Sequence, residues 1–205
     1  DGLDIFQDVV TYVVLLITLL LFHAACTYSF FLKAIAGLNP ITFFKKMKDV
    51  ALFAFSTSSS AATIPVTLKT ANQDLGVNQN VASFVVPVGA TINMDGTAIM
   101  QGLATVFIAQ MSGIDLTLFQ YMQVVLLAVA TSIGTAAVPS AGTITLIIIL
   151  QQFNLPLEAI GIILAVDRVL DMIRTSVNVT GDAAIACIVA KTENQLDENI
   201  FNSKA

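Results

Sequence analysis

Long hydrophobic runs dominate this chain, and the polar residues that interrupt them mark out its elements. Val9 to Leu32 is apolar for long enough to cross a bilayer with some tilt. Its one ionisable side chain, His23, reads as a packing residue. Lys33, Asn39-Pro40 and the cluster Lys45, Lys46 and Lys48 follow, a basic loop leading into an amphipathic helix. Val50 to Phe55 is a short apolar arm that stops at STSSSAATIP, and a second short arm leaves through Val66 to Lys69. Neither arm alone spans the roughly 30 Å of hydrocarbon. Two short arms meeting at a serine-rich tip predict a re-entrant hairpin; one full span interrupted by serines is the alternative.

The next long run, Val81 to Met111, carries Asn93, Asp95 and Gly96 in its middle. A break of this kind predicts a discontinuous helix, tolerated only where it lines a protein-covered cavity. Leu118 to Ala130 and Thr143 to Leu150 are again short arms, separated by TSIGTAAVPSAG, where Gly134, Pro139 and Gly142 end any helix. The final run, Leu157 to Ala190, precedes a polar tail.

The predicted fold class is therefore an all-α integral membrane protein, with two re-entrant hairpins and discontinuous transmembrane helices in an inverted repeat. Its predicted divisions are a transmembrane helix over 9–32, hairpin 1 over 42–76, a broken helix over 78–111, hairpin 2 over 118–152, a polar-striped helix over 157–190 and a tail over 191–205. Paired interrupted segments of this kind point to a secondary transporter with a midplane site. Lysine placement agrees: with a re-entrant first hairpin, all seven lysines (Lys33, Lys45, Lys46, Lys48, Lys69, Lys191, Lys204) share the cytoplasmic side, whereas a full span would put Lys69 outside.

The polar stripe of the last helix changes the picture most. At about 100° per residue, Asp167, Asp171, Arg174, Thr175, Asn178 and Asp182 fall within about 100° of arc. Each charge at bilayer depth costs roughly 2.5–3.5 kcal/mol on the insertion scale. The stripe must face protein or a watery cavity, either as a salt-bridge ladder between helices or as a binding site. Counting Asp95, Asp167, Asp171 and Asp182 against Arg168 and Arg174 leaves two negative charges to be balanced. Bound cations would do so, and the oxygen donors of Asp95, Asp182, Asn93 and Asn178 suit an alkali or alkaline-earth ion and not zinc. Protonation of the carboxylates is the rival account. A short helix starting at Ser58-Ser59-Ser60 turns its N–H groups toward an anion. Arg174 adds a planar fork for a carboxylate, and Asp171 a partner for an ammonium. Together these describe an acidic amino acid.

Composition narrows the rest. The chain is 56% hydrophobic and 11% charged, with mean hydropathy +0.84, against about 25% charged in soluble domains. It has no Trp and no basic patch with interleaved aromatics, so no nucleic-acid partner is expected. Cys26 and Cys187, far apart in apolar runs, read as packing residues. The opening DGLDIFQD does not read as a signal peptide.

TINMDGT, the serine-rich tip followed by TIPVT, SIGTAAVP, and DMIRTSVNVTGD with its AKTE continuation resemble the glutamate/aspartate transporters of the dicarboxylate/amino acid:cation symporter family. The resemblance covers nearly the whole chain. It implies sodium-coupled uptake, with sodium ions as the coupling ions and no organic cofactor, by an elevator motion of a transport domain within a homotrimer in the cell membrane. By resemblance, Ser58, Ser60, Thr97, Val138, Gly142, Asp171, Arg174, Thr175 and Asn178 match substrate-contacting positions, with Arg174 at the position of the side-chain carboxylate. Gly89, Asn93, Asn178 and Asp182 match one sodium site; Thr91, Ser132, Ile133 and Thr135 match a second; Asn93 and Asp95 match part of a third.

Two departures stand out. Some relatives have an Arg where Ser58 stands, a charge that Arg168 is a candidate to supply. The family's earlier scaffold helices are also missing, so the chain reads as the C-terminal transport-domain part, a fragment or one of two pieces.

Within the family, a simple dicarboxylate, a neutral amino acid or cystine as substrate, or protons in place of sodium, are the alternatives. Arg174 argues against a neutral substrate and Asp171 against a simple dicarboxylate. Outside it stand a passive channel and an intramembrane serine hydrolase. The hydrolase has no base placed beside Ser58 to Ser60 and no G-x-S-x-G, so no enzymatic activity is expected.

Overall fold

The structure, a computed structural model, describes residues 2–203, with side chains from residue 6 onward. The readings that involve the first residue and Lys204 lie outside the described residues. The chain is helical throughout this range: α1 (Gly2–Phe22), a π-helical turn (His23–Tyr28), α2 (Ser29–Ala34), α3 (Pro40–Thr57), α4 (Ser60–Gln73), α5 (Gln79–Ile92), α6 (Asp95–Met111), α7 (Leu118–Ile133), α8 (Ala141–Gln152), α9 (Ile160–Thr192) and α10 (Glu198–Asn202). Phe6–Ala34 forms one helical stretch of 29 residues, long and apolar enough to cross a membrane.

Local chemistry sets the ends of these helices. Asn39 accepts from the Ile41 N–H and Pro40 opens α3, the position where a missing N–H costs nothing. Ser58 ends α3 in the left-handed region (φ 50°), and Ser59 at once caps α4 by accepting from Ala62 N–H. Thr117 and Gln120 form a reciprocal capping box at the start of α7. The predicted break falls at Asn93 and Met94, between α5 and α6.

Helix α9 is the axis of the molecule. It packs against α1, α3, α4, α5, α6 and α8, and its face from Val177 to Ala184 is buried almost without interruption. Around it, polar residues share the interior with an apolar core, and large apolar side chains cover the outside. Thr63, Thr67, Gln101 and Thr105 are buried, while Phe22, Leu52, Phe84, Leu118 and Leu126 lie on the outside. Polar groups inside an apolar shell suit a hydrocarbon surround, where the backbone satisfies itself within helices.

Three expectations need correcting. Cys187 is buried as expected, but Cys26 is exposed. Arg168 is exposed on α9 and so stands outside the buried charge group, because the stripe turns it away from the core. The tail is not merely a polar extension. Asn78 N–H donates to the Gln195 carbonyl and Asp197 N–H to the Gly76 carbonyl, pairing Val77 with Leu196. Asp197 then caps α10, whose Phe201 is fully buried. The buried Lys46 ammonium donates to the Asp74 carbonyl (2.8 Å), the Ile200 carbonyl (2.7 Å) and Ser203 Oγ (3.1 Å). It thereby serves the C-terminal ends of α4 and α10 together.

Candidate functional site

The two helical hairpins, α3–α4 and α7–α8, meet tip to tip beside α9. Ser59 Oγ donates to the Ala137 carbonyl at 2.8 Å, and Ala61 N–H donates to the same oxygen at 3.3 Å. Behind this contact lies a polar cavity of about 20 Å³, room for one or two waters. Ser58 and Ser60 from the first tip, and Val138 and Gly142 from the second, line it. Thr97 of α6 and Asp171, Arg174, Thr175 and Asn178 of α9 complete the wall, so every substrate position expected from the sequence borders one cavity.

The charges of this cavity pair with one another. Arg174 is 2% exposed, and its Nη2 donates to Asp171 Oδ1 at 2.5 Å while Nη1 lies 3.4 Å from Asp167 Oδ1. Asp171 Oδ2 accepts from the backbone N–H of Ser140 at 2.9 Å, tying the second tip to α9. Among the described residues, three buried carboxyl groups (Asp167, Asp171, Asp182) stand against one buried guanidinium. Among the described residues, the buried hydroxyl of Ser58 in the cavity wall has no hydrogen-bond partner, nor does Asp167 Oδ2. Such orphaned polar atoms are uncommon in folded chains and ask for an explanation.

The break between α5 and α6 is held by α9. Asn178 Oδ1 accepts from Gly96 N–H at 2.8 Å and its Nδ2 donates to Thr97 Oγ1 at 3.3 Å, so this side chain caps the start of α6. Asn93 Nδ2 donates to Asp182 Oδ1 at 3.0 Å. Glycines make these approaches possible: a Cβ on Gly89 would lie 2.6 Å from Asp182 Oδ1, and one on Gly142 would lie 2.8 Å from Thr97 Cγ2. Gly89, Asn93, Asn178 and Asp182 thus gather at one corner. The side-chain donors there, from Asp182, Asn93 and Asn178, are hard oxygens and suit an alkali cation.

Among the residues expected in a second ion site, Ser132 and Thr135 are buried beneath the second tip, with Thr135 Oγ1 against Thr145 Oγ1 at 2.9 Å. Ile133 and Thr91 are exposed, and the Thr91 hydroxyl donates to the Val88 carbonyl.

Two residues escaped the sequence reading. His23 Nε2 lies 3.0 Å from Asp95 Oδ2, so it meets a charged partner instead of simply packing. Gln101, fully buried, donates to the Gly142 carbonyl and Thr145 Oγ1 and accepts from Thr131 Oγ1, joining α6 to both arms of the second hairpin. A lone amide inside an apolar run was the one available signal for Gln101.

An all-helical membrane protein with a charged cavity bordered by two hairpin tips is the class that this fold and site define. The family model described as the Sodium:dicarboxylate symporter family matches residues 1–192, and the chain belongs to that family. It is 42% identical over 202 residues to excitatory amino acid transporter 3 of Mus musculus, covering 98% of this chain and 39% of that protein. To excitatory amino acid transporter 2 of Homo sapiens it is 43% identical over 178 residues, covering 87% and 31%. To an excitatory amino acid transporter of Caenorhabditis elegans it is 41% identical over 189 residues, covering 92% and 38%. The chain thus spans less than two fifths of the length of these relatives.

Proposed function

We propose that this chain is the substrate-binding part of a sodium-coupled symporter for acidic amino acids, glutamate or aspartate. In this reading the two hairpins are re-entrant, the two halves form an inverted repeat, and the domain moves as an elevator against scaffold helices lying outside this chain, within a homotrimer of the cell membrane. The observation that carries it is the convergence of Arg174, Asp171 and the Ser58 hydroxyl on one polar cavity.

The chemistry follows from the pairing already present. Without ligand, Arg174 and Asp171 are each other's counter-charge. An acidic amino acid brings both opposite charges at once: its side-chain carboxylate replaces Asp171 on the guanidinium, and its ammonium replaces the guanidinium on Asp171. Ser58 and the N–H groups at the hairpin tips are left for the α-carboxylate. Room for the ligand requires the tip-to-tip bonds at Ala137 to part. Sodium, as co-transported ion, offsets the excess of buried carboxyl groups, with Asp182, Asn93, Asn178 and the Gly89 region at one site and Asp95 with Asn93 at another. Thr91, Ser132, Ile133 and Thr135 would serve a further site once the second tip has closed.

The test is Arg174→Ala in the full-length protein, comparing sodium-dependent binding of aspartate and serine. Loss of one partner of a buried charge pair costs roughly 2–5 kcal/mol, on the order of 30- to several-thousand-fold for aspartate. Serine, whose ammonium still meets Asp171, loses far less. Parallel losses for both ligands would make Arg174 part of a structural ladder and sink the assignment.

A further inference from the structure

The π-helical turn His23–Tyr28 interrupts the longest apolar helix of the chain, and single π turns are frequent at functional sites. In a regular α-helix, residues five apart point about 140° away from each other at 100° per residue. Here the widened turn brings His23 and Tyr28 together, ring centroids 5.0 Å apart and edge to face. Both then reach the same atom. His23 Nε2 lies 3.0 Å and Tyr28 Oη 3.1 Å from Asp95 Oδ2, the first residue of α6 beyond the break. Among the described residues, no side chain donates to Asp95 Oδ1.

Tyr28 is also fixed from the other side. Its hydroxyl lies 3.2 Å from the Val177 carbonyl on α9, so one phenolic hydrogen stands between two acceptors and can serve only one of them at a time. A Cβ on Gly181 would lie 2.5 Å from Tyr28 Oη and 2.7 Å from Asn93 Nδ2. That glycine admits both side chains to the corner where Asn93 meets Asp182. The first helix, the break and α9 therefore converge on one oxygen-rich corner, and the contribution of the first helix is made through the π turn.

We propose that Tyr28, assisted by His23, is a positioning residue for sodium: it clamps Asp95 Oδ2 and thereby turns Oδ1 toward the ion. This rests on the reading of Asp95 as a sodium ligand given above. Outer partners that orient a metal ligand contribute roughly 10–100-fold to metal affinity when removed. Without the phenolic hydroxyl, Asp95 Oδ2 is held by His23 alone.

The experiment uses the full-length protein in detergent, unfolded thermally at increasing sodium chloride with choline chloride holding ionic strength constant. The readout is the sodium concentration at which the midpoint begins to rise, beyond which stabilisation grows as the logarithm of sodium. For Tyr28→Phe that concentration rises by about tenfold, the low end of the outer-partner range. Its midpoint in choline alone stays at the wild-type value, since the ring still packs. Aspartate binding at saturating sodium is also retained. An unshifted sodium curve, with or without a lower midpoint in choline, overturns the proposal and leaves Tyr28 a packing residue. His23→Leu reads the same corner independently should Tyr28→Phe fail to fold, and an unshifted curve there is equally fatal. A wild-type curve that is flat in sodium, or an Asp95→Asn curve that matches wild type, overturns the sodium reading itself.

Discussion

The two hairpin tips face the same cavity but are built differently. In the first, α3 passes to α4 through Ser58 and Ser59 alone, and Ser58, Ser59 and Ser60 are all buried. Ser59 caps α4, and its hydroxyl reaches the opposite tip. In the second, seven residues, 134–140, separate α7 from α8. Val138 is 53% exposed there, and the tip is held to α9 mainly by the single bond from Ser140 N–H to Asp171. A two-residue turn, buried throughout and with the Ser59 hydroxyl bonded on both sides, makes a wall. A longer, exposed tip secured to the carboxylate proposed to hold the ligand's ammonium would make a door.

The largest expected difference lies in amide exchange. In the full-length protein without substrate, amides of 134–140 exchange on the order of a hundredfold faster than those of 57–61, about 2.8 kcal/mol in opening free energy. Saturating aspartate and sodium should narrow that gap. Equal rates at both tips without ligand would erase the distinction.

A smaller effect is expected from Gly142→Ala. The new methyl would lie 2.8 Å from Thr97 Cγ2 and 3.5 Å from Arg174 Cζ, pushing the start of α8 away from the site. Overpacking of this kind costs roughly 1–3 kcal/mol, about 5- to 150-fold in aspartate affinity, read by isothermal titration. Unchanged affinity would show that the second tip does not need close approach to α6.

The smallest effect tests the wall. Ser58 combines a left-handed backbone with a buried, unpartnered hydroxyl, both unfavourable in the absence of ligand. Ser58→Gly should raise stability by up to about 1 kcal/mol while weakening aspartate by roughly 0.5–1.5 kcal/mol, the net worth of one hydrogen bond. A loss of stability would mean that the serine holds the turn and not the ligand.

Much of this was legible in the sequence for a physical reason: the informative residues contradict their surroundings. Asn93 and Asp95 in an apolar run announced the break, the 100° periodicity put Asp171, Arg174 and Asn178 on one face, and STSSS marked the first tip. What stayed hidden depends on geometry that no spacing rule carries. His23 and Tyr28 share a partner only because the helix widens by one residue per turn, which composition does not announce. Arg168 and Arg174 are chemically alike, and only the phase of α9 sends one outward and the other into the cavity. The stripe was read as a ligand site or as a salt-bridge ladder between helices, and the pairing of Arg174 with Asp171 within α9 is neither. The docking of the tail on Gly76–Asn78 is a contact across more than a hundred residues, invisible to any local pattern.

Lys46 has a consequence for how the protein is made. Its ammonium is buried, and one of the carbonyls that neutralises the cost of burial, that of Ile200, lies 154 residues further along the chain. At about 5–20 residues per second of synthesis, roughly 8 to 30 seconds pass between the appearance of the lysine and that of its acceptor. During that interval the ammonium has the Asp74 carbonyl but neither of its acceptors from the tail. The base of the first hairpin, far from its tip, therefore gains its last hydrogen-bond partners only when α10 arrives.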